Sequence, residues 1–342
     1  MTRVYVGMSG GVDSSVTASL LVEQGYKVTG VYMKNWTQDL PGMRCPWADD
    51  LADAKRVAVQ LGIDFKVFDF EKEYRQKVVD YMIDEYKSGR TPNPDIMCNQ
   101  EVKFKLFLET ALEDGADMIA TGHYARTENG RLLRAVDENK DQTYFLYRVT
   151  GDALRKTLFP LGGYTKDQVR EMAHNRGLWT ASKKESMGVC FVGNVGMREF
   201  LSQYVETQPG NIIDKATSKV VGMHDGAIFY TLGQRHGLDI GGGLPYYVVD
   251  KNIDRNEVYV ATNINDQQLW ADSIKLHSLH WINDAPETAS LKARIRHRAK
   301  LVAATLEDSV VHLADPERAV TAGQSVVLYD GDVCLGGGVV EA

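Results

Sequence analysis

The sequence predicts an α/β protein in which a parallel-sheet domain precedes a small middle β-rich domain and a C-terminal β-barrel. Over the first half, apolar runs alternate with amphipathic helical patterns, an order typical of a parallel sheet with helices on its faces. After about Gly196 the helical periodicity fades, and short β-rich runs alternate with turn signals. The 342 residues are roughly twice the length of a typical single domain, which favours two or three domains.

Each element of the first part is predicted from a local pattern. The run from Val4 to Gly7 is apolar, as in a buried strand, and a helical pattern follows from Ser14 to Gln24. The remaining predicted elements are, in order, a strand at 28–33, helices at 51–61, 72–87 and 102–113, a strand at 117–121, a helix at 166–175 and a strand at 189–192.

Turn signals and barrel closure set the later domain boundaries. Asp225-Gly226, the triplet at 241–243 and Asp330-Gly331 punctuate the β-rich runs. We predict domains at 1–198, 199–268 and 269–342. A small barrel suits the last domain because closing a sheet removes its exposed edges.

Composition limits the classes of function. Lys and Arg number 39 against 46 Asp and Glu, and the net charge of −7 argues against a protein that coats nucleic acid by bulk charge. The N-terminus lacks the pattern of a signal peptide, and no apolar stretch is long enough to span a bilayer. The four cysteines, at 45, 98, 190 and 334, form no CxxC pair, so a reducing, cytoplasmic setting is expected.

A glycine-rich loop, SGGVDSS at 9–15, separates the first strand from the first helix. Its glycines let the backbone approach a ligand closely, and the serines and helix amides offer donors to an anion. It is not a Walker motif, because the lysine of GxxxxGK[ST] is missing. Two glycines alone would fit a plain turn in which Asp13 or Ser14 caps the helix. The full string, directly after a strand, predicts nucleotide binding.

Two cysteines lie in segments that suit chemistry. Cys98 follows the proline-stiffened run 91–97 and precedes a helix expected to begin near Glu101, so an exposed, low-pKa thiolate is predicted. Cys190 lies in a short apolar strand between glycines, where a buried structural cysteine and a strand end lining a site are equally good interpretations.

The loop at 9–15 resembles the PP-loop of the ATP pyrophosphatase superfamily, whose members activate a carbonyl oxygen by adenylation. Further segments extend the resemblance in order to the C-terminus: GRTPNPDIMCNQEVKF, ATGHYAR, KDQTYFLY, GVCFVG, YTLGQRHGLDIGGG and GQSVVLYDGDVCLGGGVVE. Together they are similar to the tRNA-specific 2-thiouridylase family, which thiolates the wobble uridine of tRNA.

The resemblance implies a role for individual residues. ATP would be contacted by Gly7, Met8, Ser9, Gly10, Gly11, Val12, Asp13, Ser14, Met33 and Gly122. The flipped uridine would be received by Asn93, Pro94 and Asp95, with Cys98 as nucleophile and Cys190 as the persulfide-bearing cysteine. The residues that would contact tRNA are His123, Lys140, Asp141, Gln142, Arg296, His297 and Gln324.

The chemistry implied by the family is ATP-dependent sulfur transfer. Mg²⁺ would accompany ATP, with Asp13 as a possible ligand, and a persulfide donor would charge Cys190. Sulfur would then pass either as hydrosulfide, leaving a disulfide, or directly to the base. A cluster held by Asp95, Cys98 and Cys190 is a weaker alternative. We expect a protein that acts as a monomer, away from membranes.

A basic row at 292–300 is the clearest local charge feature. If this segment is a strand, Lys292, Arg294, Arg296, Arg298 and Lys300 share one face for roughly 26 Å, as a rail for tRNA phosphates. The segment 230–237 has two equal interpretations, an RNA grip or packing between domains.

Two other function classes compete with thiolation. A PP-loop ligase acting on a small metabolite would need neither paired cysteines nor a basic strand. A non-catalytic tRNA-binding protein would be expected to lose Asp13 or Cys98, and both are present.

Overall fold

The computed structural model describes residues 1–39, 45–184, 196–241, 245–263, 266–286 and 290–341. The elements of its first part are, in order, β1 (Arg3–Gly7), α1 (Val12–Glu23), β2 (Lys27–Lys34), α2 (Trp47–Leu61), β3 (Asp64–Asp69), α3 (Glu71–Tyr74), a first π-helical segment (Arg75–Asp80), α4 (Tyr81–Lys87), α5 (Pro94–Met97), a second π-helical segment (Cys98–Leu106), α6 (Phe107–Glu113), β4 (Met118–Ala120), β5 (Arg126–Glu128), β6 (Arg131–Leu133), α7 (Thr143–Leu146), α8 (Gly151–Arg155), β7 (Thr157–Leu158), α9 (Lys166–Asn175) and α10 (Met197–Leu201).

A parallel sheet with strand order β3-β2-β1-β4-β7 forms the base of this first part. Val4 and Val6 of the central strand are fully buried, as expected for a strand covered on both faces. Val16 of α1 packs with Val169 of α9 in one apolar cluster. The predicted parallel-sheet domain is confirmed. The sequence pattern does not predict β3, because this strand is only half-buried and charged residues interrupt it.

The helix that carries Cys98 begins earlier than predicted. α5, the second π-helical segment and α6 follow one another without a break over 94–113. The Asn93 side chain accepts a hydrogen bond from Asp95 N at 3.1 Å, and Pro94 occupies the first helical position, where its fixed φ is favourable. This helix, like every other helix in the described ranges, lacks the combined length and apolar character needed to cross a membrane.

The middle part is a small sheet with its own core. Its strands are β8 (Gly210–Asp214), β9 (Lys219–His224), β10 (Tyr247–Asn252) and β11 (Glu257–Ala261), in the order β10-β11-β8-β9. Ile212, Val248, Val258 and Val260 are fully buried in it.

The C-terminal part is a closed barrel, as predicted. Its strands are β12 (Trp270–Trp281), β13 (Leu291–Arg294), β14 (Val302–Glu307), β15 (Val310–Arg318), β16 (Ser325–Asp330) and β17 (Val333–Val340). They pair in the order β12-β15-β14-β13-β16-β17, and pairing of β12 with β17 closes the circle. The β5-β6 hairpin of the first part extends this sheet, because Leu133 pairs with Val333 and Leu132 with Cys334. The first part and the barrel therefore share a sheet.

The predicted basic strand at 292–300 is wrong. β13 ends at Arg294, and the chain then turns, with Arg298 at φ +65°. Arg294 is 4% exposed, so the five basic side chains do not share one solvent-facing row. The alternation of basic and apolar residues is as compatible with a short strand plus a turn as with one long strand, because the pattern carries no information on φ at Arg298.

Candidate functional site

The 9–15 loop joins β1 to α1 and leaves the start of the helix without a side-chain cap. Gly11 is the N-cap residue, with φ −97° and ψ 169°. Ser14 Oγ instead lies 3.2 Å from Ser9 N and 3.3 Å from Ser9 Oγ. The alternative in which Asp13 or Ser14 caps the helix is therefore wrong. Without a side-chain cap, the first backbone N–H groups of α1 are oriented to bind an anion.

Two glycines allow close packing around this loop. Gly10 has φ +73°, and a Cβ there would lie 2.3 Å from Asp50 O. Gly122, just after β4, approaches the start of α1 so closely that a Cβ would lie 2.9 Å from both Asp13 C and Ser14 N. Only glycine fits at such distances without displacement of the backbone. The structure thus brings Gly122 to the predicted nucleotide loop.

The other residues predicted to contact ATP lie in or beside the sheet. A Cβ on Gly7 would lie 2.9 Å from Met33 Cε, so these two positions are neighbours. Met8 and Val12 are buried in two different apolar clusters. Their side chains serve packing, which leaves only their backbone for a ligand.

Asp13 forms an ion pair with Lys166 at the first turn of α1. Lys166 Nζ lies 2.7 and 2.8 Å from the two carboxylate oxygens, and Tyr124 OH donates to Oδ1 at 3.0 Å. Lys166 is the first residue of α9, which Thr165 and Gln168 begin with a capping box. The pair therefore joins α1 to α9 and fixes the carboxylate. Nowhere in the described ranges do three or more His, Cys, Asp or Glu side chains group as a metal site.

A cavity of about 260 Å³ opens over the 9–15 loop. Four of its side chains are cationic and one is anionic, so its field favours a polyanion. The uncapped start of α1 and these cations fit the polyphosphate of ATP. The lining residues are Ser9, Gly11, Val12, Asp13, Tyr124, Lys140, Gln142, Lys166, Lys184, His297 and Arg298.

Cys98 is buried within a helix, which corrects the prediction of an exposed loop cysteine. It is 3% exposed and is the first residue of the second π-helical segment. Because the helix begins at Pro94, Cys98 lies beyond its first turn, where the favourable field of the helix start has declined. The premise of the predicted thiolate, a helix that begins near Glu101, is therefore wrong. π-helical turns are frequent at functional sites.

The remaining cysteines divide into two groups. Cys190, with the predicted strand at 189–192, lies outside the described residues. Cys45 and Cys334 are buried, and burial raises the pKa of both thiols. Such thiols are poor nucleophiles at neutral pH.

The predicted target-base residues form the start of the Cys98 helix. Asn93 is its cap, and Pro94 is buried. Burial raises the pKa of the Asp95 carboxyl, an effect that the positive charge of Lys103 partly offsets. Asp95 and Cys98 are three residues apart in the same helix, so they lie on one face.

His123 packs against two phenylalanines. Its ring centroid lies 5.5 Å from that of Phe104 and 6.1 Å from that of Phe159. Thr121 Oγ1 lies 2.8 Å from Nδ1. Burial and the nearby charge of Lys103 lower the His123 pKa well below 6.5. A neutral imidazole can offer a hydrogen bond to RNA but not an ion pair.

Asp141 is part of the interior, which corrects its assignment to tRNA. It is 1% exposed, and Arg294 NH1 donates to its Oδ2 at 2.6 Å. Thr143 Oγ1 donates to the same carboxylate at 3.0 Å. Gln142 Oε1 accepts from Tyr124 N at 2.9 Å, and the side chain also lines the cavity. The carboxylate of Asp141 therefore holds the barrel rather than RNA.

The barrel residues predicted to contact tRNA have different environments. Arg294 forms a buried ion pair with Asp141 and is not accessible to RNA, so its assignment to tRNA is wrong. Arg296 is half-buried and donates to the carbonyl oxygen of Ala319 at 2.8 Å. The ring of His297 packs against that of Phe145 at an interplanar angle of 43°, with 4.5 Å between centroids. This ring contact joins the turn after β13 to α7 of the first part.

The segment 89–91 joins all three parts of the protein. Thr91 N donates to Ala322 O of the barrel at 2.8 Å, which brings the loop of Gln324 beside the target-base segment. Thr91 Oγ1 lies 3.4 Å from Thr231 Oγ1 of the middle part. The Gln324 side-chain oxygen is buried and has no hydrogen-bond partner among the described residues. The segment 230–237 thus does pack between domains, one of its two interpretations.

Sequence patterns miss Tyr124, Lys166, Lys184 and Phe145 as site residues. Lys166 lies 153 residues from Asp13 in the chain. The sequence around Lys166 is typical of an ordinary helix start, so the pairing with Asp13 is evident only from the fold. The weak signal for Tyr124 is its place inside the ATGHYAR segment.

Three family models match consecutive parts of this chain. They are the tRNA methyl transferase HUP domain over 2–194, the tRNA methyl transferase PRC-barrel domain over 198–262 and the aminomethyltransferase beta-barrel domain over 271–340. Among solved structures, a 4-thiouridine synthetase–RNA complex with bound ATP covers 60% of this chain and 50% of its own at 18% identity, with a TM-score of 0.40 that supports no argument.

Curated relatives match nearly end to end. The tRNA-specific 2-thiouridylase MnmA of Listeria monocytogenes serotype 4b (strain CLIP80459) is 49% identical over 99% of this chain and 94% of its own. The protein of the same name from Bacillus subtilis (strain 168) is 48% identical over 99% of this chain and 95% of its own. With 49% identity over nearly the whole chain and family models that match its three parts, the chain belongs to the tRNA-specific 2-thiouridylase family.

Proposed function

We propose that this protein catalyses the ATP-dependent 2-thiolation of the wobble uridine of tRNA, as a tRNA-uridine 2-sulfurtransferase. The observation that carries the proposal is the cation-lined cavity over the 9–15 loop, walled on one side by the barrel. A relative that is 49% identical over 99% of the chain is named a tRNA-specific 2-thiouridylase, and this supports tRNA as the substrate.

ATP is bound by its phosphates at the start of α1. The backbone N–H groups after Gly11 and the Ser9 and Ser14 hydroxyls face this position. Asp13, which Lys166 and Tyr124 hold at the first turn of α1, would bind a Mg²⁺ ion that accompanies the phosphates and neutralises part of their charge. Gly7, Met33 and Gly122 complete the nucleotide site from the strand ends.

The uridine enters beside the start of the Cys98 helix. Asn93, Pro94 and Asp95 receive the base, and the raised pKa of Asp95 favours a carboxyl that can donate a hydrogen bond. Cys98 follows one turn later and is shielded from water. Exclusion of water protects an activated base from hydrolysis.

The reaction proceeds in two steps. Uridine O2 attacks the α-phosphorus of ATP, and pyrophosphate leaves, so that O2 becomes part of a good leaving group. A sulfur from the persulfide on Cys190 then attacks C2, and AMP departs with the former O2. In one route, Cys98 attacks the inner sulfur of the persulfide, releasing hydrosulfide and forming a Cys98–Cys190 disulfide that a thiol reductant later opens. In the other, the outer sulfur of the persulfide attacks C2 as AMP leaves, and Cys98 then attacks the Cys190 sulfur, which breaks the S–S bond, releases 2-thiouridine and forms the same disulfide.

The barrel, together with Gln142 of the first part, holds the tRNA. Gln142 and His297 lie at the junction between the barrel and the first part, Gln324 lies in the barrel loop beside the target-base segment, and Arg296 and His123 are further contacts. A persulfide-donating carrier or cysteine desulfurase recharges Cys190. The protein works in the cytoplasm as a monomer.

The test is formation of 2-thiouridine. The protein is incubated with ATP, Mg²⁺, a persulfide source and unmodified tRNA, and the nucleosides are analysed after nuclease digestion. We expect 2-thiouridine from the wild type, none from Cys98→Ser and near-normal amounts from Cys334→Ala, whose thiol is buried in the barrel. Absence of product with wild type, or undiminished product from Cys98→Ser, would refute the proposal. Methyl transfer or ligation of a small metabolite would also give no 2-thiouridine.

A further inference from the structure

The barrel contributes one wall of the cavity over the nucleotide loop. Arg298 and His297 lie in the turn after β13, and both line the cavity that Ser9, Gly11 and Asp13 line from the other side. The first part of the protein, from β1 to α10, is called the catalytic half below; it and the barrel enclose one cavity between them.

Arg298 is held in place by the catalytic half. Its Nε donates to Asn139 O at 3.1 Å, next to Lys140 of the same cavity. The two terminal nitrogens of the guanidinium take no part in that hydrogen bond. Its backbone is left-handed, with φ +65°, a conformation that is strained for a residue with a Cβ. Such a conformation persists only where the surroundings enforce it.

The enforcing contacts lie just before the turn. Arg294 is fixed by Asp141, and Tyr144 OH of α7 lies 3.3 Å from Ile295 O, just before the turn, and 2.9 Å from Ser325 O of β16. These contacts are buried. They make the position of Arg298 a rigid feature of the junction, which lowers the entropic cost of binding a ligand there.

We propose that Arg298 of the barrel, together with Lys140, binds the phosphate oxygens of the nucleotide, so that the barrel completes the ATP site. The inference deepens the proposed function and changes the assignment of these two residues, which the sequence links to tRNA. The ligand is a polyphosphate: the triphosphate of ATP before reaction and pyrophosphate after it.

The charges of the cavity favour this ligand. Lys140, Lys184 and Arg298 line the cavity beside the Asp13–Lys166 pair, so four cationic side chains and one carboxylate of the described residues surround it. Cations gathered in one cavity repel each other unless a polyanion lies among them. Burial and the charges of Arg298, Arg294 and Lys140 lower the pKa of His297 to about 4, so this ring stays neutral beside the cations.

The position of the cavity distinguishes between two sources of phosphate, a nucleotide and the tRNA backbone. The cavity has a volume of about 260 Å³ and is bounded by the uncapped start of α1. Pyrophosphate can enter a space of this size. A tRNA phosphate carries its ribose chain on both sides and would have to thread between the barrel and α1.

The test is the affinity of the whole protein for pyrophosphate, measured by calorimetry without tRNA. The main variant is Arg298→Gly, because glycine adopts φ +65° without strain and the fold is retained. The matched control is Lys292→Ala, which removes one exposed cation from β13 outside the cavity. We expect at least about a tenfold loss of affinity for Arg298→Gly and for Lys140→Ala, and none for the control.

Pyrophosphate affinity within twofold of wild type for Arg298→Gly, together with weaker tRNA binding, would overturn the proposal and return Arg298 to tRNA. Circular dichroism of each variant verifies the fold. The measurement is independent of thiolation, since wild type that bound pyrophosphate but made no 2-thiouridine would refute only the proposed function.

Discussion

Arg294 and Asp141 form a buried ion pair across the junction between the barrel and the catalytic half, with 2.6 Å between Arg294 NH1 and Asp141 Oδ2. Asp141 Oδ1 also lies 3.2 Å from Ala135 N, and Arg294 lies over the Tyr329 ring, 5.3 Å from its centroid. The pair lies between the loop that supplies Lys140 and the turn that supplies Arg298. It therefore fixes two walls of the cavity at once.

The first prediction concerns the stability of this junction. Arg294→Met should lower the free energy of unfolding by about 3 kcal/mol, because it leaves the Asp141 carboxylate buried without its closest cation. Urea unfolding measures the change.

The control for this prediction is Lys292→Met in the same strand. Lys292 is exposed, so its replacement should shift the free energy by no more than about 0.5 kcal/mol. Replacing both partners, Arg294→Met with Asp141→Leu, should recover part of the loss, since no unpaired charge then remains. A stability of Arg294→Met equal to that of the control would show that the pair contributes nothing.

Local sequence patterns were sufficient to predict the parallel-sheet domain. The apolar run at β1 and the capped pattern at α9 each contain their own signal, and the bounds of α9 agree with the predicted 166–175. The glycine-rich loop is likewise local, because a tight turn before a helix start needs its glycines whatever surrounds it.

Long-range partners explain what the sequence did not reveal. Arg294 is separated from Asp141 by 153 residues, and a basic side chain whose partner lies so far away reads as a surface charge. The environment of Cys98 was predicted wrongly for a different reason. The prolines at 92 and 94 read as a stiff loop, whereas Pro94 at the first helical position starts the helix that buries the thiol.

The second prediction tests Lys166 as the positioning residue of Asp13. Lys166→Met removes the ammonium that holds both carboxylate oxygens, so Asp13 turns away from the phosphates. We expect kcat for pyrophosphate release to fall by about 100-fold, the scale of losing one preorganised charge.

Lys156→Met is the control for that experiment, because Lys156 is exposed and does not line the cavity. The kcat of Tyr124→Phe should lie between those of Lys166→Met and Lys156→Met, since this change removes a single hydrogen bond to Asp13. Lys166→Met with wild-type kcat and KM would contradict the assigned role.

The third prediction concerns the close approach of Gly122 to α1. Gly122→Ala places a Cβ 2.9 Å from Asp13 C and Ser14 N, so the backbone of the nucleotide loop must shift. We expect KM for ATP to rise by about tenfold or more, because small displacements of a binding loop are costly. Gly163→Ala is the matched control, since its Cβ would meet nothing within 4 Å. Equal KM values for the two variants would show that the loop tolerates the displacement.

The fourth prediction concerns the pH dependence of stability. Burial, reinforced by the charges of Arg298 and Arg294, lowers the pKa of His297 from 6.5 to about 4. The unfolded chain therefore binds a proton between these values that the folded protein does not, so the contribution of His297 to stability is complete above pH 6.5 and is lost as the pH falls toward 4. His297→Gln should flatten the decline in unfolding free energy between pH 7 and pH 5, measured in urea. His312→Gln, at an exposed position of β15, should keep the wild-type slope. If both variants decline as steeply as wild type, the acid sensitivity arises elsewhere.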